Sequence, residues 1–467
     1  MAFSHDTAMT FNDMTSTLGS MVARTLLSVS WAQLTGPARD NLKLCLVANL
    51  SAGVAGEAFN YLPVPRTSGE HGEGHLLFSG NRTPSVQEAV AWNAATMHAR
   101  MQDDMNPVSN LHSGTVVIPA AIAALECAEL ERGKGVVTGE AFLTAIAAGY
   151  AASSGLSRAF NHTTTPRGYR SSSLYGIFGA AVAAGLVMDL KEDAINNAIA
   201  LSASMAAGLS QCWVDGSDEW QLHIAQAASN GFLAARLAKA GMRGAAHALD
   251  GRAGFYASHA GRSVAWSDIS EGFAPDQALC ETLIKRYPMS GIVQPVAYVA
   301  ERLVSTHRVR AEDVESVTLS MNPFELQYPG TMGKGPFDSF SAVLMSAPFA
   351  CASVFARGRF VFDDLMDSAQ PERERIVRVT EMEADEALAS LSCRVRVALR
   401  GGKVLQDQLI AGEAGARLGV DAKTIGPWSR ELWEAANRRS PSYDRFIETT
   451  DDLENRPASE LLEALAT

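Results

Sequence analysis

The fold turns on residues 176–211, GIFGAAVAAGLVMDLKEDAINNAIALSASMAAGLSQ. Gly, Ala and Ser recur on several faces of this stretch, which lets neighbouring helices approach closely. It therefore predicts packed, mostly buried helices. Lys191-Glu192-Asp193 interrupts the run and marks a helix start or an exposed turn. Residues 141–159 and 223–240 share the composition, and Gly241 and Gly244 follow the second where a helix C-terminus favours glycine. Upstream, residues 37–55 carry Leu42, Leu44, Cys45, Leu46 and Leu50 close to a helical period. Strand patterning is sparse before about residue 285.

The pattern then changes. Residues 314–320 alternate Val314, Ser316 and Thr318 against Glu315, Val317 and Leu319, as a strand does. Residues 375–380, with Ile376, Val377 and Val379, read as a second strand. Residues 393–399 alternate again, and Gly401-Gly402 then leads to Val404 and Leu405, the pattern of a β-hairpin. Residues 339–356 and 362–367 read as helices between these strands. The tail, 428–466, returns to helix, broken at Pro441 and Pro457. The expected fold is mainly α: a large all-helical domain built from 1–285 and 409–467, and a smaller α+β lid domain at 286–408 between its two parts.

Composition narrows the function. A chain of 467 residues accommodates two or three domains. Lys plus Arg is 39 and Asp plus Glu 51, so the net charge of −12 argues against nucleic acid or an anionic membrane as partner. The six cysteines are scattered without a CxxC pair, which suits reduced thiols in a cytosol rather than a zinc ribbon or iron–sulfur site. Residues 1–12 lack the basic and apolar regions of a signal peptide, and the apolar run 178–188 is too short to span a bilayer, so a soluble, cytoplasmic protein is expected. No GxGxxG, GxSxG or HExxH occurs, and the sequence from Gly330 to Gly335 lacks the spacing and hydroxyl of a P-loop. No metal and no cofactor is expected.

Four segments concentrate polar residues in apolar or Gly-rich surroundings: 98–119, 167–176, 213–223 and 284–288. His112, before Ser113-Gly114 and an apolar helix, reads either as a general acid/base or as a residue bridging a helix end. Asp103-Asp104 either hold His112 or bind a cation, or else cap a helix beside a solvated neighbour. Arg170, between Gly168-Tyr169 and three serines, suits a carboxylate clamp or binds helix carbonyls. Lys285, between Ile284 and an Arg-Tyr-Pro turn, stabilises enolate-like charge or is a surface lysine. Trp213 and Trp220 flank an acidic loop and read first as packing residues.

Several stretches together resemble the MmgE/PrpD family. They are Gly74-His-Leu-Leu-Phe-Ser-Gly80, the segment Ala89 to His98, Asp103-Asp104, Leu111-His112-Ser-Gly-Thr, Phe142 to Tyr150, Arg167-Gly-Tyr, Gly176-Ile-Phe-Gly, His223 and Lys285-Arg-Tyr-Pro288. The similarity runs over roughly residues 35–410. The family includes 2-methylcitrate dehydratase, cis-aconitate decarboxylase and iminodisuccinate epimerase. The resemblance implies a helical domain with an α/β lid, a homodimer, and a metal-free site between the domains with His112 and Lys285 as catalytic residues.

Four polar positions of the decarboxylase and dehydratase branch are replaced here. Met101 stands for an Asp, Met105 for a Thr, Arg170 for a His and Trp220 for a Lys. With Tyr169, Asp104 and His223, these residues are the expected substrate-binding set. The pocket is thus expected to be less polar than a tricarboxylate site. The expected activity is a metal-free, dehydratase-like carbon–oxygen lyase that abstracts a proton next to a carboxylate of a small acid. An epimerase or isomerase, a decarboxylase, an enzyme for a more apolar biosynthetic substrate and a non-catalytic paralogue are the alternatives.

Overall fold

The computed structural model describes residues 17–63, 72–367, 369–438 and 442–466. The polar stretch 1–12 and Pro441 lie outside the described residues. The chain is mainly helical, with short strands in its first part and a small sheet in its second.

The helical part is built around α1 (Gly36–Gly56), α2 (Val86–His98), α3 (Ser113–Arg132), α4 (Gly139–Ser157), α5 (Ser171–Val187) and α6 (Glu219–Lys239). Helix α5 lies at the centre, packed on α3, α4 and α6. The small residues that decided the sequence reading make this possible. A Cβ on Gly149 would stand 2.9 Å from the carbonyl oxygen of Gly179, and one on Gly231 would stand 2.5 Å from the Cβ of Ala180. The segment 176–211 divides as anticipated: α5 ends at Val187, Asp189 turns the backbone at φ +61°, and a second helix, Glu192–Met205, starts after Lys191.

Among the described residues, two helices, Gly36–Phe59 with its terminal 3-10 turn and Ser113–Arg132, are long and apolar enough to cross a membrane. They are longer than the apolar run noticed in the sequence, but 72% and 78% of their apolar windows are buried inside the protein. Their hydrophobicity is used in the core.

The second part contains α7 (Gln294–His307), α8 (Ala347–Arg357), α9 (Pro371–Arg378) and a four-stranded sheet of β1 (Val314–Met321), β2 (Thr380–Ala384), β3 (Cys393–Leu399) and β4 (Val404–Leu409). The strand order is β2-β1-β3-β4, with β1 and β2 parallel and the other pairs antiparallel. Gly401 and Gly402, at φ +102° and +86°, make the anticipated hairpin turn between β3 and β4. A register shift between Val314 and Ser316 lets Val314 and Val317 both face the core, so the simple alternation read along β1 does not hold. Residues 375–378 are not strand. They end α9, where Arg373, Ile376 and Val377 are buried together at helical spacing, and the strand starts only at Thr380.

The tail rejoins the helical part. Helix α10 (Ile425–Ala435) packs on α1, and the Trp433 indole donates to Ser51 Oγ at 3.1 Å. The protein has two large cores. One runs from Leu18 to Ile284 and resumes at Val420; the other runs from Tyr287 to Leu418. The second also takes in Met101, Met105, Cys212, Trp213 and Trp220 from the helical part. The candidate site lies where these cores meet.

Candidate active site

A two-residue antiparallel pairing assembles the site. Asp104-Met105 pairs with Leu283-Ile284, and the Lys285 N–H donates to the Asp103 carbonyl at 3.2 Å. This brings together segments about 180 positions apart. Helix α2 ends at His98, and Met101 (φ +53°) turns the chain so that Asp103 comes back under it. Asn106 and Leu111 then exchange backbone hydrogen bonds at 2.7 and 3.1 Å, closing the loop that delivers His112 to the start of α3.

Asp103 is the hub, with its side chain wholly buried. Its Oδ2 lies 2.9 Å from Nδ1 of both His98 and His112, and its Oδ1 lies 2.5 Å from Lys285 Nζ. Lys285 is also wholly buried. Burial pushes the Asp103 carboxyl up, but Lys285, His98 and His112 hold it well below the ordinary carboxylate range. Burial pulls Lys285 below the ordinary lysine value against the attraction of Asp103.

The two histidines differ. His98 is fully buried and donates from Nδ1 to Asp103, while its Nε2 accepts from Arg170 at 2.7 Å. Burial lowers it to about 3 despite Asp103, so it is a neutral bridge between an anion and a cation. His112 keeps 18% of its side chain exposed. Its Nδ1 faces two acceptors, Asp103 Oδ2 and the Asp104 carbonyl, each at 2.9 Å. That arrangement puts the proton on Nδ1 and leaves Nε2 as the free basic atom.

Arg170, 3% exposed, donates to the Trp220 carbonyl and to His98, with its guanidinium 5.1 Å from the centre of the Trp213 ring. Its remaining N–H groups are available to a ligand. Met101, Met105, His112, Arg170 and Trp213 line a narrow cavity of about 40 Å³, closed from the other core by Gly291, Tyr328 and Met345. A base and a guanidinium on one small cavity can move a proton beside a bound carboxylate. His98, Asp103 and His112 each offer a ligand atom within 4.8 Å of the others, a spacing that could hold a cation. Lys285 already closes on Asp103 and Arg170 on His98, so two cations face the one anion of this group.

A family model described as the MmgE/PrpD N-terminal domain matches residues 21–266, more than half of the chain. The chain belongs to the MmgE/PrpD family. Among curated MmgE/PrpD relatives, it is 31% identical over 180 residues to the "Cis-aconitate decarboxylase-like protein oryM" of Aspergillus oryzae (strain ATCC 42149 / RIB 40), covering 38% of this chain and 37% of that protein. It is 29% identical over 154 residues to the "Cis-aconitate decarboxylase" of Aspergillus terreus, covering 33% and 31%. The alignments thus span about a third of each relative. Both names denote carbon–carbon rather than carbon–oxygen lyases.

Within this MmgE/PrpD chain, the structure brings His112, Lys285, Arg170, Met101 and Met105 together. Lys285 stands behind the cavity on Asp103, so it is not a surface lysine. Four expected substrate-binding residues do not line the cavity. Asp104 is buried beneath it; its Oδ1 accepts from the Gly114 N–H at 3.0 Å and its Oδ2 from the Tyr150 hydroxyl. Neither Asp103 nor Asp104 is solvated. Trp220 points into the second core, where its indole donates to Ser341 at 2.8 Å, and only its backbone carbonyl reaches Arg170. Tyr169 turns away and packs edge-on against His259 at 5.0 Å. His223 is buried near Arg170, lowered to about 4 by burial and that charge. The sequence reading passed over His98, although it stands five residues before Asp103, and over Ser172, whose Oγ accepts from the His112 N–H at 3.0 Å.

Proposed function

We propose that this chain is a lyase that forms a carbanion next to a carboxylate of a small organic acid, with loss of CO2 as the favoured outcome. One observation carries the reading: Asp103 joins His98, His112 and Lys285 in a buried cluster, of which His112 alone faces the cavity. Arg170 binds the carboxylate of the acid at the cavity wall. Breaking the carbon–carbon bond releases CO2 and leaves its electron pair on the adjacent carbon as an enolate-like anion. His112, first protonated on Nε2 from solvent, delivers that proton there and returns to its neutral form. Asp103 accepts from His112 Nδ1–H and stabilises the imidazolium, and Lys285 neutralises the buried Asp103 carboxylate. The names of the relatives support decarboxylation over the dehydratase-like activity expected from the sequence. The same base removes a proton in a dehydration or an epimerisation. The homodimer implied by the resemblance is part of this proposal.

The test is product analysis with cis-aconitate and related unsaturated and hydroxylated di- and tricarboxylates. Proton NMR would follow new vinyl signals while released CO2 is measured. His112→Ala should keep the fold and lose turnover. A folded protein that turns over no acid in the panel is a binding protein, and the proposal fails.

A further inference from the structure

A second cavity of about 520 Å³ adjoins the site. It shares Met105, Asn110 and Ile292 with the small cavity that holds His112 and Arg170, so these residues are the partition between the two. Its remaining wall is largely apolar, with Pro107, Leu283, Phe324 and Leu391, and Val108 at 39% exposure stands at its open side. The small cavity by itself holds about 40 Å³, whereas the larger one has the size and apolar lining of ligand pockets in general.

The centre of the partition is an unbranched, flexible side chain. Met105 packs directly over Gly291, where even a Cβ would stand 1.9 Å from its sulfur. A thioether chain with three rotatable bonds adapts to what lies beside it. The wall also carries Asn161, His162, Glu281, Asn322, Ser390 and Glu325, of which Glu325 is 2% exposed. Its Oε1 accepts from Ser390 at 2.6 Å and from the Leu391 N–H at 2.8 Å, while Oε2 has no partner among the described residues. Burial raises this carboxyl to about 7, so its neutral form is accessible beside an apolar group.

We infer that the acid carries an apolar alkyl chain, with its reacting carboxylate end at His112 and Arg170 and the chain passing Met105 into the larger cavity. The inference rests on the proposed function and names the substrate class of that site. It also gives a physical role to the methionine that stands where the resembled branch has a Thr: a wall along which a hydrocarbon chain passes is better apolar.

The probes are succinate and its 2-methyl, 2-butyl and 2-hexyl derivatives, with binding to the full chain measured by calorimetry. Burial of a methylene corresponds to about fourfold in affinity, so binding should tighten by up to about fourfold per added carbon. In Val108→Asp and Phe324→Ser, both on the wall of the larger cavity, that slope should fall toward zero. A flat or reversed series in the parent protein would overturn the inference and identify the larger cavity as an approach path only. The two proposals fail differently. His112-dependent turnover of short acids with a flat series removes the chain and keeps the lyase; a steep series with no turnover of any acid removes the lyase and keeps the chain site.

Discussion

Replacing Asp103 with Asn exposes what holds the centre of this protein together. Lys285 and Asp103 are both wholly buried, and the carboxylate is the one group that closes an ion pair on the ammonium. Asp103→Asn leaves a buried cation without its counter-charge. Removing one partner of such a pair costs about 3–5 kcal/mol, more than the pair's net contribution, because the stranded charge keeps its desolvation penalty. The loss should depend on pH. Burial alone pulls Lys285 down, so the folded variant binds fewer protons than the unfolded chain between that lowered value and the ordinary ~10.4. Stability of the variant therefore rises with pH through that window, and the deficit is largest near pH 6 and smaller near pH 9. Urea unfolding at both pH values measures this. Asp103→Asn combined with Lys285→Met should recover most of the loss, giving a coupling of about 2 kcal/mol or more. A single-variant loss below about 1 kcal/mol, or one that is the same at both pH values, would refute the buried ion pair as the organising contact.

Three further outcomes are expected. Arg170→Lys cannot reach both the Trp220 carbonyl and His98 while binding a carboxylate; losing one charged hydrogen bond of about 2 kcal/mol should raise KM about 30-fold in steady-state kinetics. Glu325→Gln should stabilise the protein near pH 8 and not near pH 4. The folded carboxyl is raised from 4.5 to about 7, so the parent loses up to ~3 kcal/mol as pH climbs through that window, which paired unfolding curves would detect. Gly139→Ala places a Cβ 1.7 Å from the Leu453 carbonyl oxygen, so it should cost at least 1–3 kcal/mol of the overpacking kind and lower the melting temperature in calorimetry.

Much of the fold was legible in the sequence because small residues have one main use at high density. The Gly/Ala/Ser stretches predict close helix packing, and Gly149, Gly179 and Gly231 are where backbones approach too closely for a side chain. The hairpin at Gly401-Gly402 was legible for the same kind of reason, since both positions need positive φ. Residues 375–378 misled because Ile376 and Val377 have strand propensity, while their burial with Arg373 follows a helical period.

The site was legible in its parts more than in its arrangement. His112, Arg170 and Lys285 stand out by residue type, and the structure gathers them. The two adjacent carboxylates part where the chain passes from a bend at Asp103 into the short strand that starts at Asp104. Asp103 took the hub and Asp104 the support of α3, and no residue preference distinguishes the two. Trp220 contributes a backbone carbonyl, which every residue has, so its side chain carried no signal for that role. Tyr328 and Met345 reach the cavity from the second core, more than 200 positions beyond His112, by a packing that only the assembled fold defines.

The central claim is that His112 moves a proton at the carbon beside a bound carboxylate. Proton NMR in D2O with the acid panel tests it most directly, because deuterium incorporation at that carbon reports the step whether the proton is removed before a bond breaks or delivered after CO2 leaves. The account predicts deuterium at this position for at least one acid, with the exchange abolished in a folded His112→Ala. Exchange that persists in His112→Ala, or no deuterium in any acid with the protein folded, would contradict it.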